Sequence, residues 1–240
     1  MKSVIYHLGG YRANFNFFEF LVAQATYGAT HVVIDKTRMR KDYSMEETLE
    51  RIASIIEPGC ALAGCTYSYS SDPQVYPIMA KRVGYHISVV IDAWKAKGKI
   101  RKLESVLPPK NERYTVTLRK SSENDRRNSN EAAWREFAEE ISAFVIEDYA
   151  DRKIDLHERM AYYAGAEMNY FVANGPAILC SLSDYPYTIF MKNVQEKYNL
   201  RHGVWLGQLP WANKRQLCVW EDDSIENLRQ FRPLPEVANG

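Results

Sequence analysis

Cysteine is scarce in this chain. Of 240 residues only Cys60, Cys65, Cys180 and Cys218 carry thiols. None forms a C-x-x-C pair and each lies in an apolar run, which argues against a disulfide framework or a zinc site and for buried thiols in a reducing compartment. An excess of one charge is also missing. Lys and Arg total 31 against 30 Asp and Glu, so nothing in the balance calls for nucleic acid or an anionic membrane as partner. No apolar run is long enough for a bilayer, and the chain enters a strand directly after Met1-Lys2 without a signal-peptide pattern. The expectation is a cytoplasmic protein with no integral membrane segment. His31, His86, His157 and His202 lack metal-ligand spacing, so no protein-only metal site is expected. There is no G-x-S-x-G, no Walker lysine loop and no H-E-x-x-H, and Gly9-Gly10 falls short of the G-x-G-x-x-G of a dinucleotide fold.

What is present is a βα rhythm that runs twice. Residues 3–8 read as a buried strand, and residues 14–27 place Phe17, Phe18, Leu21, Val22 and Ala25 at helical spacing up to Gly28. Residues 30–35 form a second strand ending in Asp35. Ser44 and Glu47 make a capping box for a helix through Ile56, stopped by Pro58-Gly59. Cys60 to Cys65 reads as a third apolar run, Pro73 to Arg82 as a helix and residues 86–91 as a fourth strand. Residues 95–113, with Pro108-Pro109, read as a connection whose first part is compatible with helix. The rhythm then restarts. Strands are expected at 114–118, 143–147, 168–173, at the end of the stretch that closes at Phe190, and at 216–220, with helices near 130–141 (capped by Asn128 or Ser129), 156–164, after Pro176, and 223–231. The fold class is α/β. Two small doubly wound domains facing each other are expected, residues 1–108 and 109–240.

In parallel sheets ligands bind beyond the carboxyl ends of the strands. Gly9, Gly10, Arg12, Asn14 and Asn16 follow the first strand, and Asp35 ends the second. Arg119 ends the strand that opens the second half, with Arg126, Arg127 and Asn128 beyond it. Asn174-Gly175-Pro176-Ala177 stands where a strand gives way to a short helix. Proline suits a first helical turn, glycine permits close approach to the backbone, and helix amides favour an anion, phosphate above all. A guanidinium adds a full charge and a fork that matches phosphate oxygens, so Arg119 and the Asn174 corner are expected to hold one pyrophosphate between them. His7, near the tip of the first strand, is a candidate general base, and Asp35 is its alternative.

The run Val172-Ala-Asn-Gly-Pro-Ala-Ile-Leu-Cys-Ser-Leu-Ser-Asp-Tyr-Pro186, together with Tyr114-Thr-Val-Thr-Leu-Arg119, Arg127-Asn-Ser-Asn130 and Trp134, resembles the donor-binding half of GT-B glycosyltransferases of the heptosyltransferase-like group. The resemblance covers roughly residues 112–232. In the first half it reaches only the strand–Gly–helix start at His7-Leu-Gly-Gly10. The histidine common after the Gly turn in that group is absent, with Ile178 or Leu179 near its place, and Tyr11-Arg12-Ala13-Asn14 replaces the acidic residue that often follows the first Gly loop. The resemblance implies two Rossmann-like domains, the N-terminal one on the acceptor side and the C-terminal one binding a nucleotide sugar. It implies metal-independent transfer of a sugar from a nucleotide-diphosphate sugar to a saccharide or other hydroxyl acceptor, with no separate cofactor. Arg119, Arg127, Asn128, Asn174, Gly175, Pro176 and Ala177 would bind the donor diphosphate. Gly9, Gly10 and Asn14 would form the acceptor-side loop. A nucleotide-sugar epimerase or hydrolase on the same fold, or a non-catalytic nucleotide-sugar-binding protein, are the alternatives.

Overall fold

The computed structural model describes residues 2–8, 13–36, 44–70, 87–121, 127–148, 154–191 and 207–233. The first half contains β1 (Ser3–His7), α1 (Phe17–Thr26), β2 (His31–Asp35), α2 (Met45–Arg51), a π-helical turn (Ile52–Ile56), α3 (Glu57–Leu62), β3 (Thr66–Ser70) and α4 (Ile87–Lys97). The second contains β4 (Tyr114–Arg119), α5 (Glu131–Glu140), β5 (Phe144–Asp148), α6 (Leu156–Gly165), β6 (Met168–Val172), α7 (Ala177–Ser181), β7 (Tyr187–Phe190), β8 (Gln216–Val219) and α8 (Ile225–Gln230).

The strands form two sheets, β1-β2-β3 and β5-β4-β6-β7-β8, and every pairing is parallel. Numbered within its own half, the second sheet has the order 2-1-3-4-5. That is a doubly wound order whose direction of winding reverses between β4 and β6. The strands behave as parallel strands covered on both faces should. Tyr114 to Leu118 is buried without a break, as are Asn169 to Val172 and all of β7.

One apolar cluster joins Tyr6, Phe17, Leu21 and Ile34 of the first half to Tyr163, Phe171, Leu179 and Tyr187 of the second. Tyr6 meets the Phe17 ring edge-on, with centroids 4.7 Å apart. A second cluster, Val116, Leu118, Trp134, Phe137, Tyr170 and Phe190, covers the far face of the larger sheet.

Three elements of the first half depart from the sequence expectation. Pro58-Gly59 does not stop the helix. The π turn gives way to α3, and Pro58 falls in its first turn, where the missing amide costs little. Gly59 is there for packing, since a Cβ on it would stand 2.9 Å from the Phe18 ring. Cys60 therefore lies on α3, and the third strand begins only at Thr66. Residues 87–91 are helical, not a strand. Val89, Val90 and Ile91 favour strands locally, but α4 docks on α1 and buries Val90, Ile91 and Ala93. Tertiary packing overrides the local preference. The helix proposed over Pro73–Arg82 lies outside the described residues.

Candidate functional site

The winding reversal of the larger sheet puts the carboxyl ends of β4 and β6 side by side, with Thr117 opposite Phe171. A crevice forms at such a reversal because the chain leaves the two strands toward opposite faces. Arg119 closes β4. Its backbone is clamped by Ser129, whose Oγ accepts from Arg119 N at 2.9 Å and whose own amide donates to Arg119 O at 3.0 Å. Asn128 neither caps α5 nor stands open to solvent. Its Oδ1 accepts from Arg119 Nη1 at 2.7 Å and from Ser121 N at 2.8 Å, and its Nδ2 donates to Ser121 O. Nor does Ser129 cap the helix. Asn130 is the N-cap, and its amide donates to Asp223 Oδ2 at 2.7 Å. The same oxygen accepts from Trp134 Nε1 at 2.9 Å.

Arg127, one residue before Asn128, is the arginine that crosses to β6. Its Nη2 donates to Ala173 O at 2.6 Å. Its Nε is buried and has no hydrogen-bond partner. Burial pulls this guanidinium below its usual range, which is the mark of a cation short of compensating acceptors. Next along the chain stands Asn174, only 6% exposed. Its Oδ1 accepts from Ala177 N at 2.9 Å, while its Nδ2 is buried and unpartnered. Two side-chain donors, one of them cationic, are thus left unsatisfied where Arg127 meets the end of β6. An orphaned buried donor costs about 1–3 kcal/mol, more when charged.

The backbone at this corner behaves differently from the sequence expectation. Ala177 N is taken by Asn174, Ile178 N by Gly175 O and Leu179 N by Pro176 O. Pro176 has no amide to give. The first turn of α7 is therefore satisfied within itself, and the donors left over belong to side chains. Gly175 does permit a close approach, but the approaching group is Phe15, whose ring would stand 2.7 Å from a Cβ at that position.

Across the molecule, β1 and β2 run parallel and in register, so His7 and Asp35 are neighbours at their carboxyl ends. His7 Nδ1 lies 2.6 Å from Asp35 Oδ2. The carboxylate is nearly covered and the imidazole retains 23% exposure. A carboxylate at Nδ1 selects the tautomer protonated there and leaves Nε2 as the basic nitrogen. Sequence reasoning offered His7 and Asp35 as alternatives, and the structure couples them. Asn14, in the turn ahead of α1, accepts from Asn16 N through its side chain at 3.0 Å. Gly9, Gly10, Arg12 and Arg126 lie outside the described residues.

Phe15 follows β1 and Gly175 follows β6. Their contact brings the carboxyl edges of the two sheets together, and α1 touches α7 there. Two residues near this junction escaped sequence reasoning. Glu19, on the first turn of α1, is buried, and desolvation raises its carboxyl to about 8, partly offset by a hydrogen bond from the Ile87 amide. Only its place on an otherwise apolar stripe between Phe18 and Phe20 signalled that. Asp223 had no local signal, because its partners lie about ninety residues away.

Among the described residues no group of three or more His, Cys, Asp or Glu is placed to hold a metal ion, and no helix is long and apolar enough to cross a membrane. No family model matches the chain, and neither a curated protein nor a solved structure matches it.

Proposed function

We propose that the protein is a glycosyltransferase that moves a sugar from a nucleotide-diphosphate sugar to an acceptor hydroxyl without a metal ion. The observation that carries this reading is the pair of unsatisfied buried donors, Arg127 Nε and Asn174 Nδ2, at the winding reversal of the larger sheet. A diphosphate admitted to this corner would satisfy both. It is anionic, presents many acceptors and suits a guanidinium fork. Arg127 and Asn174 would meet the charge that develops as the diphosphate departs, with Arg119 close by on β4.

The His7–Asp35 pair supports transfer rather than storage. In the proposed step the acceptor oxygen bonds to the anomeric carbon while the bond from that carbon to the phosphate oxygen breaks. The electron pair leaves with the nucleoside diphosphate, and the acceptor proton passes to His7 Nε2. Asp35 stabilises the resulting imidazolium. The contact of Phe15 with Gly175 supports placing base and diphosphate on facing edges.

The test is titration calorimetry with UDP, GDP, ADP and CDP, followed by turnover assays with the matching nucleotide sugars. At least one nucleoside diphosphate binds the wild-type protein and is released on turnover. Absence of binding across that panel refutes the reading.

A further inference from the structure

We infer that the two halves of the chain move as one body, so that the junction where their carboxyl edges meet at Phe15 and Gly175 is preformed and is not closed over ligand by a swing of one half. This inference does not rest on the transferase reading.

The connection between the halves is where a hinge would have to lie. Boundaries between mobile domains are exposed and crossed by few contacts. Residues 98–113 form neither helix nor strand, yet residues 101–105 among them are fastened to both sides. Arg101 N donates to Thr26 Oγ1 of α1 at 2.8 Å. Lys102 Nζ reaches Ser183 O and Trp211 O of the second half and pairs with Asp184. Leu103 N donates to Leu182 O at 2.8 Å, and its side chain is 1% exposed. Glu104 N returns to the first half, donating to Leu62 O at 2.9 Å. Ser105 N goes back to the Tyr185 hydroxyl at 2.7 Å. Five consecutive residues thus lace the halves together. A hinge must absorb large φ/ψ changes in a few residues, and a rotation within 101–105 breaks bonds to one side or the other.

Two further observations point the same way. The larger apolar cluster takes side chains from both halves, so separating them exposes core. The Phe15 ring of the first half also lies so close over Gly175 of the second that a side chain there would collide with it. Packed interfaces of this kind are held in discrete arrangements and do not deform continuously.

Native-state hydrogen exchange on the full chain, without ligand, tests this directly. The amides of Leu103 and Glu104 are expected to exchange within about threefold of the slowest amides of β4 and β6, because both open only on global unfolding. Exchange a hundredfold faster at those two amides, with the strands still protected, overturns the inference. Differential scanning calorimetry of the same chain is expected to give one transition with equal calorimetric and van't Hoff enthalpies. Two resolved transitions also overturn it. Neither readout requires nucleotide binding, so failure here and failure of the transferase reading are separable.

Discussion

Replacing Glu19 by Gln removes a carboxyl that the fold holds protonated far above its ordinary range. The folded value is about 8 against 4.5 for an unperturbed glutamate, and the cause is burial between α1 and α4. The sign follows from proton counting. Below pH 4.5 both folded and unfolded chains carry the proton, and this group sets no pH dependence. Between 4.5 and 8 the unfolded chain gives up a proton that the fold retains, so stability falls as pH rises. The slope is about 1.4 kcal/mol per pH unit, and over the whole window the loss is on the order of 5 kcal/mol. Above 8 the penalty is constant. Glutamine keeps an oxygen for the Ile87 amide and has no proton to lose. The variant and the wild type are therefore expected to be close in stability at pH 5 and to diverge with pH, the variant being more stable by several kcal/mol at pH 9. Urea unfolding of both proteins at pH 5, 7 and 9 reads this out, with the wild-type-minus-variant difference cancelling the titration of all other groups. A difference that does not change with pH refutes the reasoning.

Asp223→Ala strips the cap from α5 and leaves the Trp134 indole N–H unpaired, costing about 2–4 kcal/mol in chemical unfolding. Asp223→Asn is expected to cost about 1 kcal/mol or less, since one amide oxygen can accept both bonds. Gly175→Ala drives a Cβ into Phe15 and costs about 1–3 kcal/mol. In the double variant with Phe15→Ala the two losses are expected to fall short of their sum by more than about 0.5 kcal/mol. Asp35→Asn and His7→Ala are each expected to lower turnover by about 10²–10⁴-fold while leaving nucleoside diphosphate affinity unchanged, as measured by paired kinetic and calorimetric assays.

The second half was far more legible in sequence than the first, and the reason is physical. Its central strands are buried without a break and rich in β-branched and aromatic residues, as at Tyr114–Leu118 and Tyr187–Phe190. The first half mixes signals. Val89-Val90-Ile91 has the composition of a strand but answers to the α1 surface it packs on, and β3 consists of exposed hydroxyl-bearing residues with no apolar alternation to betray it. Pro58 looked like a helix stop because a π turn leaves no local mark. At the site, residue identity was visible but pairing was not. Strand-tip position drew attention to Arg119, His7 and Asp35. That Arg127 is the side chain reaching Ala173, that Asn128 serves Arg119 and Ser121, and that the glycine of the Asn-Gly-Pro turn receives a phenylalanine all depend on contacts between distant segments.

The most direct measurement is calorimetric titration of the nucleoside diphosphate that binds wild-type protein best into Arg127→Ala and Asn174→Ala. Loss of a charged hydrogen bond is worth about 1.5–3 kcal/mol, so Arg127→Ala is expected to weaken binding by about 10- to 150-fold and Asn174→Ala by a smaller factor. Unchanged affinity in Arg127→Ala, with the fold intact by circular dichroism, contradicts the account.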